Sequence, residues 1–353
     1  MKKNLCVIFG GKSPEHTISR LSVTSILNNL DADKYDIHLI GITKKGEWYL
    51  YTGDYANIKD GEWENDTAHK EKALISPDTS DRAVIVFGSN GVRKIGIDVI
   101  FPVLHGEYGE DGTIQGLFEL SGIPYVGMGV MASANAMDKT SSKTVFAAAG
   151  IPQADWYVHN KGDDIDASIA AVEEKLGYPC FVKPARTGSS VGVGKAHNRD
   201  ELKAAVENAE IYDRKVLIEE NIDGHEVECA VLGNRDAKAA EVGEIRPKVE
   251  FYDFDAKYKD SSTELLIPAD IKPEIKEQIR EYAVKAFKAL DGQGLSRVDF
   301  FVKFDNDEII LNEVNTLPGF TNISMYPKLW EAAGIKYGEL LDRLIELAEE
   351  RVK

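Results

Sequence analysis

Short apolar runs that alternate with longer amphipathic segments constrain this chain more than any other feature. That rhythm builds sheets whose strands are buried on both faces and covered by helices, which is α/β architecture. LCVIF (5–9), DIHLIGI (36–42) and IDVIFPVLHG (97–106) read as buried strands. Between the first two, residues 17–30 place Ile18, Leu21, Ile26, Leu27 and Leu30 at mostly helical spacing. The polar stretch 43–80 reads as an excursion on this first lobe. A helix is expected through MASANAMDKTSSKTVFAAAG, stopped by Gly150 and Pro152. A strand at 180–184, a glycine-rich loop, a helix near 199–209 and a strand at 215–220 follow. The last third carries EVECAVLG (226–233), a polar loop near 246–264, a helix at 273–290, paired strands at 296–303 and 308–315, and a closing amphipathic helix at 336–351. With 353 residues, lobes of about 100–150 residues each are expected; the divisions fall at 1–127, 128–225 and 226–353.

Composition excludes several classes. A net charge of −17 opposes extended contact with phosphate backbones, so no nucleic-acid partner is expected. No apolar run reaches about 18 residues, so no membrane span is expected. The two lysines before the first apolar run mimic a signal peptide, but that run is short and ends in Gly-Gly; a cytoplasmic location is the expectation. Cys6, Cys180 and Cys229 sit in strand-like segments without a C-x-x-C pair and read as buried free thiols.

Chemistry concentrates in a few motifs. In R-V-D-F-F (297–301), Arg297 and Asp299 share one face of a strand, as do Glu313 and Asn315 in N-E-V-N (312–315). A hairpin of the two would converge two carboxylates and an amide oxygen, a donor set suited to Mg²⁺ together with substrate phosphates; the solvated face of an ordinary hairpin gives the same pattern. T-L-P-G-F (316–320) then offers a Pro-Gly turn whose backbone N–H groups, with Arg297, could stabilise an oxyanion. V-K-P-A-R-T-G-S-S-V-G-V-G-K (182–195) places Lys183 at the end of a strand before a Gly/Ser loop, a phosphate cradle unlike a Walker A loop. Lys183 in a buried strand calls for an anion. V-L-I-E-E-N-I (216–222) puts Glu219 and Glu220 where a strand meets a loop, with Glu226 shortly after. F-G-G-K-S-P-E-H (9–16) sets Glu15 on a glycine turn before a helix, as a cap or as the partner of a substrate ammonium. L-H-G-E-Y-G-E-D-G-T (104–113) puts His105 and several acids on a turn after a buried strand.

Taken in order, FGGKSPEHTIS, HGEYGEDGTIQG, GVMASANAMDK, FVKPARTGSSVGV, EVECAVLG, FYDFDAKY, SRVDFF and NEVNTLPGFTNISMYP resemble the D-alanine–D-alanine ligase family of the ATP-grasp superfamily, through essentially the whole chain. The resemblance implies a three-lobed α/β ATP-grasp fold with an N-terminal Rossmann-like lobe. It implies an ATP-dependent carboxylate–amine ligase that joins two D-alanines through an acyl phosphate for peptidoglycan synthesis. It places Lys139 and Lys183 on ATP phosphates, Glu219, Glu220 and Ile222 at the adenine, and Glu226 at the ribose. Asp299, Glu313 and Asn315 would hold two Mg²⁺ or Mn²⁺. Glu15, with His105 nearby, would hold the first D-alanine's ammonium; Arg297 and the Gly319 amide would face its carboxylate. Ser324 and Lys257 would take the carboxylate of the second. Tyr258, on a loop near 247–262, would link to Glu15 and Ser189 and close the site. A homodimer and dependence on K⁺ are further family expectations.

Two departures stand out. Asn322 and Ile323 occupy positions where many members have Ser-His. Relatives that use D-lactate second lack the Lys-Tyr pattern present here as Lys257-Tyr258, and those that use D-serine carry a basic residue where this chain has Met325. Both features favour D-alanine, with a D-alanine–D-serine ligase as the alternative and, behind it, a non-catalytic nucleotide-binding relative.

Overall fold

The structure is a computed structural model that describes residues 2–246 and 264–351. The first lobe runs β1 (Lys3–Gly10), α1 (His16–Leu27), β2 (Tyr35–Ile42), β3 (Trp48–Tyr51), α2 (Tyr55–Asp60), β4 (Lys70–Ile75), β5 (Ala83–Gly88), β6 (Gly91–Gly96), β7 (Val99–Val103) and α3 (Thr113–Ser121). Its seven strands form one sheet in the order β6-β5-β4-β3-β2-β1-β7. The three strands expected from apolar runs are its parallel part: β2 and β7 flank β1. Flanked by β2 and β7, β1 is buried on both faces, which is why it reads as a continuous apolar run. Leu5, Val7 and Phe9 enter one core and Cys6 and Ile8 another.

The stretch 43–80 is more than an excursion. It supplies β3 and β4, which extend the sheet antiparallel, and it inserts Trp63, fully buried, edge-on to Phe9 with ring centroids 4.9 Å apart.

Next come α4 (Val130–Met137) and α5 (Lys139–Ala148), where a single helix is expected. Asp138 divides them: its backbone is extended, and its side chain accepts hydrogen bonds from the Thr140 and Ser141 N–H groups as the cap of α5. These helices pack on the C-terminal core, through Met128, Ala132, Phe146 and Ile151. The central lobe's own core is smaller. It lies between β8 (Trp156–Asn160), α6 (Ile165–Lys175), β9 (Cys180–Pro184), β10 (Gly194–Ala196), α7 (Arg199–Ala209) and β11 (Lys215–Glu220), with an antiparallel sheet ordered β10-β9-β11-β8.

The last lobe contains β12 (Gly224–Gly233), β13 (Lys238–Arg246), β14 (Glu264–Leu266), α8 (Pro273–Ala289), β15 (Gly294–Lys303), β16 (Ile309–Asn315), α9 (Met325–Ala332) and α10 (Tyr337–Glu350). Its sheet has the order β14-β13-β12-β15-β16, and β15 and β16 form the expected antiparallel pair. Helix α10 carries Leu340, Leu341, Leu344, Ile345 and Ala348 on one stripe. That stripe packs into a core shared with β1 and β7, so the first and last lobes join across one hydrophobic interior. All three cysteines are buried free thiols, and burial pushes each thiol pKa up.

Candidate active site

The three sheets leave one large cleft of about 470 Å³, lined by the strand ends and loops of all three lobes. Its floor is the β15–β16 pair. Asp299 stands opposite Glu313 and Arg297 opposite Asn315, and a bulge follows, since Phe300 pairs with Leu311 and leaves Asn312 as the extra residue. Bulges recur beside active sites because they re-aim side chains. The solvated-face alternative fails here: Arg297 and Asp299 are 6% and 4% exposed. The Arg297 guanidinium donates to both Asp299 oxygens at 2.8 and 2.7 Å and lies 3.1 Å from Glu228 Oε2. Burial works against its charge, but these two carboxylates outweigh it and raise its pKa.

Among the described residues, Asn315 Oδ1 is buried without a hydrogen-bond partner. An orphaned amide oxygen beside two carboxylates is what a hard cation would satisfy. Among the described residues no three His, Cys, Asp or Glu side chains form a metal cage. Two carboxylates and an amide fit Mg²⁺, which takes few protein ligands plus phosphates.

The opposite wall carries lysines. Lys139 opens α5; its backbone N–H donates to Ala185 O at 2.9 Å and its ammonium to Thr187 O at 2.8 Å, at the root of the glycine loop. Burial holds its pKa below the ordinary lysine range. The anion expected for Lys183 is present within the chain: its Nζ lies 2.6 Å from Glu219 Oε2, while Lys143 Nζ lies 2.6 Å from Oε1. Burial alone would raise the Glu219 pKa, but the two lysines pull it down to about 2. Glu220 Oε1 accepts from the Asp155 N–H at 2.8 Å. Glu219, Glu220, Ile222 and Glu226 line the cleft together.

At the far end the Ser189 hydroxyl donates to Glu15 Oε1 at 2.5 Å, joining central and first lobes. Ser189 and Ser190 both adopt left-handed backbone, φ 49° and 59°, a strain of about 1–3 kcal/mol that clusters at functional loops. Glu15 stands at the start of α1 without capping it; its carboxylate faces the cleft and passes so near Gly106 that a Cβ there would lie 2.4 Å from Oε2.

His105 is buried behind the cleft, donating from Nδ1 to Leu317 O at 3.0 Å. Its Nε2 lies 3.3 Å from Ser22 Oγ, which accepts from the Phe320 N–H. Gly319 lies close to Ser324, whose hydroxyl is 2.8 Å from that of Thr321. Met325 is 5% exposed and packs toward Gly243 in the core, away from the cleft lining. Lys257 and Tyr258 lie outside the described residues.

Three acidic or basic groups here were not singled out from sequence. Lys143 is signalled only by lying one helical turn after Lys139. Glu228 follows Glu226 at strand spacing and faces Asp299 across β12–β15. Glu110 stood in the sequence only as one of several acids on the turn after β7. Its carboxylate accepts from the Gly106 N–H at 2.7 Å and from the Leu317 N–H at 3.2 Å, bridging first and last lobes. Burial, with the Glu15 charge adding, pushes its pKa up to about 8.

Such a site, with half-buried lysines facing carboxylates across a cleft, suits transfer of a phosphoryl group to a small zwitterion. Comparison with known proteins agrees. A model described as D-ala D-ala ligase N-terminus matches residues 4–128, and one described as D-ala D-ala ligase C-terminus matches 145–346. The D-alanine–D-alanine ligase of Acetivibrio thermocellus is 54% identical, covering 99% of this chain and 96% of its own. That of Thermoanaerobacter sp. is 53% identical over 99% and 97%. Among solved structures, the VanG D-Ala:D-Ser ligase from Enterococcus faecalis superposes with a TM-score of 0.91 at 40% identity, covering 99% of this chain and 100% of its own. The D-alanine–D-alanine ligase from Coxiella burnetii gives 0.85 at 37%, covering 99% and 95%. With both family models matched in order and relatives alike over nearly its whole length, the chain belongs to the D-alanine–D-alanine ligase family.

Proposed function

We propose that this chain joins two D-alanines into D-alanyl-D-alanine at the expense of ATP, for peptidoglycan precursor synthesis. The observation that carries the reading is the meeting of Arg297, Asp299, Glu313 and Asn315 with Lys139 and Lys183 across one cleft that Glu15 and Ser189 close at the end. A carboxylate is a poor acyl donor, because oxide is its leaving group. Transfer of the ATP γ-phosphoryl group to the first D-alanine gives an acyl phosphate and ADP; the second D-alanine's amine then attacks, and phosphate leaves. Lys139 and Lys183 would hold the phosphates, with Glu219, Glu220 and Ile222 at the base and Glu226 at the ribose. Glu15 would take the first substrate's ammonium. Arg297 and the Gly319 amide would meet the oxygen that gains charge on acyl transfer. Mg²⁺ held by Asp299, Glu313 and Asn315 would offset charge on the transferred group. Ser324 and Lys257 would hold the second D-alanine's carboxylate.

Tyr258 is assigned the exclusion of water from the acyl phosphate. Tyr258→Ala is therefore expected to release ADP without matching dipeptide; tight coupling in that variant would remove the assignment. A homodimer and a cytoplasmic location belong to the same proposal; among the described residues no helix is long and apolar enough to cross a membrane. Likeness to a D-Ala:D-Ser ligase favours D-alanyl-D-serine as the second reading. The test is ADP release with D-alanine alone, then with D-serine or D-lactate added, with products identified by mass. Dipeptide from D-alanine alone supports the proposal. A dominant mixed D-Ala-D-Ser product moves the chain to the second reading, and no ADP with any D-amino acid sinks both.

A further inference from the structure

A buried carboxylate shared by two lysines is an arrangement with a spare charge, and here it sits at the edge of the nucleotide cleft. Glu219 is 5% exposed and bonded to both Lys143 and Lys183 at 2.6 Å. The two lysines differ in what else they can reach. Lys183 lines the cleft and its side chain is 20% exposed; Lys143 is absent from the lining and its side chain is 3% exposed. Lys143 is fixed from behind: its ammonium donates to Ala154 O at 3.3 Å and lies 5.2 Å from the Trp156 ring centre. Only Lys183 can therefore turn to an incoming anion.

We propose that Lys143 is a positioning residue for nucleotide binding, holding the Glu219 charge compensated while Lys183 turns from Glu219 to the phosphates. The inference rests on the nucleotide reading of the cleft. Without Lys143, Glu219 and Lys183 would be a neutral buried pair. Turning Lys183 away would strand a desolvated carboxylate, the strongly unfavourable way to break a buried ion pair. With Lys143 in place the carboxylate keeps one partner throughout. The trio's charges sum to +1, so this corner of the cleft carries an uncompensated cation beside Lys139 before any nucleotide enters. Glu219 also stays in one orientation on β11, beside the Glu220–Ile222 segment that faces the same cleft.

The test is a double-mutant cycle on the full chain, read by steady-state kinetics with ATP and D-alanine varied separately. K143M is expected to raise KM for ATP about tenfold or more, while KM for D-alanine and kcat at saturating ATP stay within about twofold. In an E219Q background, where no carboxylate needs compensation, K143M is expected to change KM for ATP by less than about threefold. A merely structural role for Lys143 would move both Michaelis constants together, and the E219Q background would not relieve it. An ATP KM within about twofold of the parent's in K143M, or an equal rise in the E219Q background, overturns the proposal. If K143M shows no cooperative melt, K143Q replaces it, since Gln keeps a donor for Ala154 O without the charge. A parent chain that never makes ADP would overturn the function reading itself; an active parent with an indifferent Lys143 variant overturns only this inference.

Discussion

At the scale of single residues, burial decides which groups have chemistry left to do. Asn315 holds a buried amide oxygen with no hydrogen-bond partner among the described residues, on the same strand pair as Asp299 and Glu313. Asn315→Ala is expected to raise the Mg²⁺ concentration for half-maximal ADP release about tenfold or more; an unchanged Mg²⁺ titration would remove Asn315 from the metal set. Glu110 shows the opposite case, a carboxyl whose charge the site resists. Its folded pKa, about 8, lies above the ordinary 4.5, so the native chain keeps a proton that the unfolded chain has released. Stability from this group is complete below about pH 4.5 and is lost as pH rises toward 8, by at most about 1.4 kcal/mol per unit. Glu110→Gln is expected to flatten that fall between pH 6 and 8 in metal-free urea titrations, although it lowers stability overall, because its NH₂ must face a backbone N–H. An identical slope in the variant would place the Glu110 pKa at its ordinary value. Asn315 was legible because its partner residues lie two apart along strands. Glu110 was not, since the Leu317 N–H it meets is 207 positions away.

At the scale of elements, the long apolar runs and clear helical periods gave their strands and helices, whereas β5, β6, β8, β13, α3 and α6 were not anticipated, and at one place a polar residue overrode the period. Residues 199–209 and 215–220 form elements at the expected positions, because each is a short run with clear ends. The apolar pattern through 130–148 is helical from end to end, yet Asp138 breaks it and caps the second helix. Its side chain also takes Lys215 Nζ at 2.7 Å and the Thr140 hydroxyl. Asp138→Ala should therefore cost about 1–2 kcal/mol from the lost cap. Because Lys139 is the first residue of that helix, KM for ATP is expected to rise as well, with KM for D-alanine little changed. A variant that loses stability while keeping its ATP constant would show that the helix start does not position Lys139. The stretch 43–80 was read as an excursion because its two strands are short and are separated by polar segments; yet both lie in the interior of the sheet, and Trp63, buried against Phe9, ties the segment between them into the core.

At the scale of the whole molecule, three lobes were legible from length and alternation, but the sharing of cores was not. Nothing local in residues 336–351 says that their apolar stripe will close the first lobe. Yet Leu340, Leu344 and Ile345 pack with Leu5, Val7 and Phe101. Polar contacts tie the same helix to the same lobe: Asp342 takes Lys34 at 2.6 Å and the Tyr35 hydroxyl at 2.7 Å, and Glu349 takes Lys3 at 2.9 Å. Just beyond it, Arg351 donates to Gly127 O at 2.7 Å and stacks 4.1 Å from the Tyr125 ring. The central lobe, by contrast, has an apolar core of its own. First and last lobes should therefore open as one cooperative unit and the central lobe separately. Leu344→Ala, a fully buried truncation, is expected to cost about 2–5 kcal/mol. In native-state hydrogen exchange it should lower protection of residues 3–10 and 294–303 together, while residues 180–220 keep theirs. Equal loss in the central lobe would mean that all three lobes unfold as one. Loss confined to 294–303 would mean that the shared core does not couple the outer lobes. The expected result would leave the central lobe, with Lys183 and Ser189, free to open over a platform that holds Glu15 and Arg297 in fixed relation.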